Sequence, residues 1–317
     1  VNILVRLDIS KNIGTGHFRR MKNLSEYMKE DNFIFCIKTD DPENTLFHNE
    51  KIIFLSGNEF EMVSRSIQKY AIDLIILDLL HYPEGYIQSI KSYTSKKVVT
   101  FHEYEDYSSF SDLTINYNFF DNYLAMKKDN FLAGPEYIIL NDNIHLIPQK
   151  NIKQDYVFVS FGGSDPSHFL EKFLYQVAIK LQNIKFKVHI GNFNKNNFEE
   201  FLKYSHIEFL QSPINILEYM NSAKCAITAA GNIMYELMYF KIPMLVVAHN
   251  AHQNEFAKNA SSYNSVIYCG LMNCIDFSEM CHKIEMLYNA NENSYYDYPP
   301  IDGLGIQRIA QAIKRIA

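Results

Sequence analysis

The sequence predicts an α/β protein built from two doubly wound, Rossmann-like domains facing a central cleft. Three observations carry this. Short apolar runs alternate with longer amphipathic ones along the whole chain. The alternation breaks at a polar, proline-bearing stretch, residues 141–151, and then restarts. A strand pattern running into a glycine turn heads each half, at Gly14–Gly16 and at Gly162–Gly163. Alternating strands and helices imply parallel sheets covered by helices on both faces.

In the first half the strand-like runs are Asn2–Leu7, Phe33–Ile37, Ile52–Leu55, Leu74–Leu77, Val98–Phe101 and Leu113–Ile115. Helical spacing marks Phe18–Met28, Phe60–Tyr70 and Gly85–Tyr93. In the second half the strands are Tyr156–Phe161, Lys185–Ile190, Ile207–Leu210, Cys225–Thr228, Met244–Val247 and Val266–Cys269. The helices there are Pro166–Leu181, Ile214–Asn221, Asn232–Phe240, Gln253–Ala260 and Phe277–Asn289. The expected domains are residues 1–148 and 149–317. A last helix, Gly305–Ile316, has no strand after it and could pack back onto the first domain. Ligands of such sheets bind beyond the carboxyl ends of the strands, which for two facing domains means the cleft.

Composition narrows the function. Hydrophobic residues make up 47% of the 317 and charged residues 21%, the balance of an ordinary globular protein. The net charge of −6 and the lack of a basic run argue against a nucleic-acid partner. The chain opens into a strand pattern with no leader-like segment, and no apolar run approaches the ~18 residues of a membrane span. No integral membrane segment is expected. The five cysteines are odd in number and form no C-x-x-C pair, as in a reduced cytoplasmic protein.

Four segments carry chemistry. After the first strand, which ends near Asp8, comes Ile13-Gly14-Thr15-Gly16-His17, with a helix starting around His17. Glycines let the backbone approach a ligand, a helix start favours an anion, and histidine moves protons near neutral pH. A tight turn with a surface histidine explains the same residues. The dinucleotide fingerprint does not fit, because Arg20 stands near where its third glycine would fall.

The second segment is Phe161-Gly162-Gly163-Ser164-Asp165-Pro166. It reads as a nest of N–H groups for a diphosphate or as a well-made strand–helix turn. The third runs from Thr228 through Ala230, Gly231 and Asn232 to Glu236, whose carboxylate could take both hydroxyls of a ribose or lie on a solvated helix face. The fourth, His249-Asn250-Ala251-His252-Gln253-Asn254, offers polar lining for a sugar. No carboxylate or cysteine accompanies its two histidines, so no metal is expected.

Together these segments resemble the UDP-sugar hydrolases of pseudaminic acid biosynthesis, which remove UDP from UDP-2,4-diacetamido-2,4,6-trideoxy-β-L-altropyranose. That family is related to the MurG-type glycosyltransferases of the GT-B fold and to spore-coat polysaccharide synthesis proteins. The opening R-x-D-x-S…IGxGHxxR appears as Arg6, Asp8, Ser10, Ile13, Gly14, Gly16, His17 and Arg20. A mid-domain aspartate after an apolar strand appears as Asp78, with His81 and Tyr82 following, and an N-x-N as Asn116 and Asn118. The G-x-x-Y-x-x-L before the linker is Gly134, Tyr137 and Leu140. The closing D-G-x-G-x-x-R is Asp302, Gly303, Gly305 and Arg308.

The resemblance implies that His17 activates water for attack at the anomeric carbon, with Asp8 and Asn250 in the same catalytic set. It implies substrate contacts from Arg6, Gly14, Gly16, Arg20, Asp78, Tyr82 and Asn118 in the first domain. In the second, Gly162, Gly163, Ser164, Ala230, Gly231, Asn232, Glu236, Gln253 and Asn254 would hold the nucleotide and line the sugar. It implies an enzyme acting on a UDP-sugar; no metal or cofactor is expected, and a monomer is the default expectation with the oligomeric state open.

Three positions depart from the pattern. Asn250 is followed by Ala251 where the family often has glutamine, the acidic pair after the fifth strand reads His102-Glu103, and Asn141 replaces an arginine. A glycosyltransferase of the same fold and a non-catalytic nucleotide-sugar binder are the competing readings.

Overall fold

The computed structural model describes residues 1–10, 13–43, 47–48, 50–103, 109–119, 129–163, 165, 168–191, 194, 196–210, 215–290 and 295–317. They form two compact units, Val1–Asp142 with Gly303–Ala317, and Asn143–Asp302. The chain thus divides six residues before the expected 148/149 boundary, and its last helix belongs to the first unit.

Unit one is a parallel sheet of seven strands in the order β3-β2-β1-β4-β5-β6-β7. They are β1 (Asn2–Ile9), β2 (Asn32–Thr39), β3 (Ile52–Phe54), β4 (Leu74–Asp78), β5 (Lys97–Phe101), β6 (Leu113–Asn116) and β7 (Phe131–Ala133). The helices are α1 (Gly16–Tyr27), α2 (Glu59–Lys69) and α3 (Tyr86–Tyr93). β1 and β4 are buried along nearly their whole length, as strands covered on both faces must be. Asn58 caps α2 by accepting from Glu61 N, and Gly85 enters α3 at φ +69°.

Register decides which side chains can meet. Leu7 pairs with Asp78 and Arg6 with Leu77 in the parallel β1·β4 ladder. Neighbours in register share a face, and successive residues alternate. Asp78 therefore lies on the face of Leu7, whereas Arg6 and Asp8 lie on the other. Leu4 and Leu77 pack on that second face with Val63, Ile67, Ile87 and Ile90 of α2 and α3.

The carboxyl-terminal helix is numbered α9 (Gly305–Ile316) in chain order. Ile306, Ile309, Ala310 and Ile313 form its buried stripe. Gly305 packs so closely that a Cβ there would lie 2.1 Å from Ile138 O. Arg308 Nη1 donates to Glu136 O at 2.9 Å.

Unit two is a parallel sheet of six strands in the order β10-β9-β8-β11-β12-β13. They are β8 (Gln154–Ser160), β9 (Phe186–His189), β10 (Ile207–Leu210), β11 (Ala223–Ala229), β12 (Met244–Ala248) and β13 (Val266–Leu271). Its helices are α4 (Phe169–Lys180), α5 (Ile216–Ser222), α6 (Asn232–Tyr239), α7 (Ala251–Ala260) and α8 (Phe277–Tyr288). Val157, Val159, Phe173, Val177, Ile227 and Ile284 centre one core between this sheet and α4 and α8. Among the described residues no helix is long and apolar enough to cross a membrane.

Candidate active site

In unit one, β1 ends and Ser10 meets Gly14 in an isolated antiparallel bridge. Gly14 N donates to Ser10 O at 2.7 Å, and Ile13 N donates to Ser10 Oγ at 3.1 Å. Gly14 takes φ +80°, a conformation glycine adopts without cost. α1 then begins with no side-chain cap from Thr15 and no acidic residue in its first turn. His17 sits in that first turn, only 4% exposed.

α1 lies against β1, on the sheet face that Asp78 shares. His17 Nδ1 lies 2.8 Å from Asp78 Oδ1, and Asp78 is fully buried at the end of β4. Arg20, one turn further along α1, donates through Nε to Asp78 Oδ2 at 2.7 Å and through Nη2 to Asp78 Oδ1. Its Nη1 donates to Glu103 Oε1 at 2.6 Å and to the Tyr117 hydroxyl. Asn118 Nδ2 donates to Glu103 O at 2.9 Å, which fixes the backbone of that glutamate.

The electrostatics follow from the pairing. Burial alone would raise the Asp78 carboxyl, but the Arg20 guanidinium, and then His17, hold it below the usual carboxylate range. Burial likewise opposes the charge on Arg20, and Asp78, Tyr117 and Glu103 outweigh it, leaving Arg20 well above its ordinary value. Burial drives the Tyr117 phenol far up, so it stays neutral.

An ionised Asp78 can only accept. The 2.8 Å contact therefore requires the proton on His17 Nδ1 and leaves Nε2 as the basic nitrogen. Arg20 Nη2 also lies 2.9 Å from Nδ1, and with that proton in place it is a neighbour sharing Asp78 Oδ1 rather than a donor to the ring.

The other first-domain candidates separate. Asp8, expected in the catalytic set with His17, has its Oδ1 accepting from Arg6 Nη1 at 2.6 Å on the opposite sheet face. Arg6 Nε also donates to Glu59 Oε1 at 2.8 Å. The carboxylate on His17 is Asp78, not Asp8. Tyr82 stacks on His102 with ring centroids 4.7 Å apart, and its hydroxyl reaches Leu77 O and Phe101 O, tying the ends of β4 and β5 together. Gly16 opens α1. Glu103 and Tyr117 complete the cluster without having been singled out in the sequence as site residues. The only hints of them were an acidic residue after β5 and the middle of the Asn116-Tyr117-Asn118 triplet.

In unit two, Gly162 takes φ +93° with open space where a side chain would be. A Cβ on Gly191 would lie 2.2 Å from Gly162 O, so the end of β9 presses directly on the Gly162-Gly163 turn. His249 Nε2 donates to Phe161 O at 3.1 Å and holds the turn from β12. Ser164 lies outside the described residues. The amides that start α4 are taken by a carboxylate. Asp165 Oδ1 accepts from Phe169 N at 2.9 Å and Oδ2 from Leu170 N at 2.8 Å.

The start of α6 differs. Gly231 and Asn232 lead into it with no side-chain cap and no acidic residue in the first turn, and the space around Gly231 is open. Ala230 is buried, its N–H donating to Val247 O at 2.9 Å. Glu236 follows Asn232 by four residues, on the same helix face.

The polar cluster at α7 has a structural task. Asn250 Oδ1 accepts from Gln253 N, and Gln253 Oε1 accepts from His249 N, both at 2.9 Å. This is a reciprocal cap of the helix start. Tyr268 donates to Asn254 Oδ1.

Two doubly wound parallel units with this strand order define a two-domain α/β protein of the GT-B class. Solved structures agree on the fold. MurG from Acinetobacter baumannii matches 99% of this chain and 100% of its own at TM-score 0.64 and 9% identity. The UDP-GlcNAc 2-epimerase from Neisseria meningitidis, bound to UDP-GlcNAc, matches 99% and 100% at TM-score 0.62 and 10% identity. In sequence, the chain is similar to the spore coat polysaccharide biosynthesis protein SpsG of Bacillus subtilis. The two are 25% identical over 319 residues, covering 95% of this chain and 94% of SpsG. No family model matches the chain. The likeness to SpsG runs nearly end to end.

Proposed function

We propose that this protein is an enzyme of surface-glycan synthesis that hydrolyses a UDP-linked amino sugar, of the diacetamido-trideoxyhexose type, to the free sugar and UDP. The observation that carries the reading is the buried Asp78–His17 pair. Its Nδ1 proton is fixed by a carboxylate, so Nε2 is left as a base at an uncapped helix start. The likeness to SpsG and to proteins that handle UDP-GlcNAc supports the substrate class.

In the proposed reaction His17 Nε2 takes a proton from water as the water oxygen bonds to the anomeric carbon. The bond from that carbon to the phosphate oxygen breaks, and its electron pair leaves on UDP. The carboxyl-terminal unit binds the nucleotide. The uncapped start of α6 at Gly231–Asn232 suits the diphosphate, and Glu236 one turn on suits the ribose hydroxyls. The turn at Gly162–Gly163 contributes backbone, while the α4 amides are already engaged by Asp165. Asn250 keeps its side-chain N–H groups for substrate once its oxygen has capped α7.

The test is incubation with a panel of UDP-, GDP- and CMP-sugars, scoring nucleotide release with and without a sugar acceptor. Release of UDP and free sugar without acceptor is the expected result. Release that requires an acceptor would replace hydrolysis by glycosyl transfer, the reading that the MurG-like fold favours.

A further inference from the structure

Arg20 is among the residues expected to contact substrate, yet its guanidinium is engaged inside the protein. One N–H on Nε and one on Nη2 pair with the two oxygens of Asp78. The two on Nη1 point to Glu103 Oε1 and to the Tyr117 hydroxyl. The rings of Phe101 and Tyr117 lie 5.7 and 5.5 Å from the guanidinium carbon. The residue is 4% exposed. A substrate oxygen would have to displace one of these partners to reach it.

The grip on Asp78 is a fork, Nε to Oδ2 at 2.7 Å and Nη2 to Oδ1, the geometry in which a guanidinium pairs a carboxylate best. That fork bears on which atom of His17 carries a proton. Burial favours an uncharged Asp78, and Arg20 is the foremost group opposing it. An uncharged carboxyl has a proton of its own, which it would donate to His17 Nδ1 across the 2.8 Å contact. The neutral imidazole would then carry its single proton on Nε2, and the base would be lost. An ionised carboxylate accepts from Nδ1 instead and leaves the lone pair on Nε2.

We propose that Arg20 is a positioning residue, whose fork on Asp78 fixes the proton of His17 on Nδ1 and so keeps Nε2 able to take one. It acts on the reaction through Asp78 and His17 alone. The inference rests on the reading of His17 as the base. It holds whether the proton that Nε2 takes comes from water or from a sugar hydroxyl.

The experiment compares wild type with Arg20→Lys and Arg20→Gln. Nitrogen NMR spectra of histidine-labelled protein, recorded without substrate, show which ring nitrogen bears the proton. The pH is set at about 7.5, above the ordinary histidine value of about 6.5. The His17 signals are those missing from His17→Ala. Nδ1 carries the proton in wild type and in the Lys variant, which keeps the positive charge. In the Gln variant the Nε2 signal moves toward its protonated position. UDP release is measured on the same proteins. In the Gln variant kcat falls about 10²-fold with KM little changed, and the Lys variant loses much less.

A proton on Nε2 in wild type overturns the proposal without any variant, so the test survives a Gln variant that does not fold. An Nε2 that stays unprotonated in a folded Gln variant also overturns it. So does a raised KM with kcat unchanged, which would return Arg20 to the substrate contacts. Should wild type release no nucleotide from any nucleotide sugar, the reading of His17 as a base fails. The ring spectra need no substrate, so they report on the fork separately.

Discussion

Asp78 Oδ1 meets His17 Nδ1 at 2.8 Å from a neighbouring strand, although the two residues lie 61 positions apart in the chain. β1 hands the chain to α1, β1 and β4 lie side by side, and the Leu7–Asp78 register brings the carboxylate level with the start of the helix. If His17 is the base, His17→Ala lowers nucleotide release about 10²- to 10⁴-fold. Added imidazole, a base small enough to enter the vacated volume, should restore part of the rate in proportion to its concentration. Release that survives at the wild-type rate in the Ala variant would remove His17 from the mechanism.

The pairing of Asp78 also sets an acid limit on stability. Its folded pKa lies below the unfolded value, so its contribution is complete above the unfolded carboxylate pKa of about 3.9 and is lost as pH falls through the lowered folded value. Asp78→Asn takes away the buried one of the two carboxylate charges that Arg20 faces and leaves it Glu103. With that second partner kept, the cost at neutral pH should fall below the roughly 3–5 kcal/mol of a buried charge left wholly unpaired. Urea unfolding across the acid range should show wild type and variant converging as pH falls below about 4. A constant gap between the two curves would mean that the carboxylate charge is not what stabilises the cluster.

The two sheets were legible because each buried strand is a run of apolar residues, and the expected strand spans match the observed cores of β1, β2, β4 and β8 closely. β7 was missed because three residues, Phe131–Ala133, show no period. The pairing of His17 was harder to read. Asp8 is near it along the chain, and only the strand alternation, combined with the face on which α1 packs, shows that Asp8 points away. Glu103 and Tyr117 come from loops after two further strands, and local sequence holds no mark of their convergence on Arg20. Asn250 and Gln253 show the opposite case. Their polarity reads as sugar lining, yet part of it is spent on capping α7.

The closing motif of the chain acquires a packing explanation. Gly305 lets α9 touch the backbone at Ile138, and Arg308 donates to Glu136 O. Gly305→Ala would add helix propensity worth at most ~1 kcal/mol. Against that, a Cβ 2.1 Å from a carbonyl oxygen forces backbone to move, an overpacking cost of about 1–3 kcal/mol or more. The clash wins, so the Ala variant should melt at lower temperature, with faster hydrogen exchange confined first to α9. A variant as stable as wild type would show that α9 can slide along the unit at no cost.

Asn250 allows its two roles to be separated by one substitution. Its oxygen accepts from Gln253 N, a cap worth about 1 kcal/mol, and its nitrogen remains to donate. Asn250→Asp keeps an accepting oxygen at the helix start, where a negative charge is favoured. The fold should therefore be unaffected, with a thermal midpoint equal to wild type or slightly above it. The same change replaces a donor by a carboxylate, which would repel a diphosphate and can no longer donate to a sugar oxygen. UDP release should then fall by about 10- to 10²-fold. Asn250→Ala loses both the cap and the donor, so it should lose stability as well as rate. If the Asp variant keeps full activity, Asn250 is a helix cap alone, and the polar cluster at α7 drops out of the site.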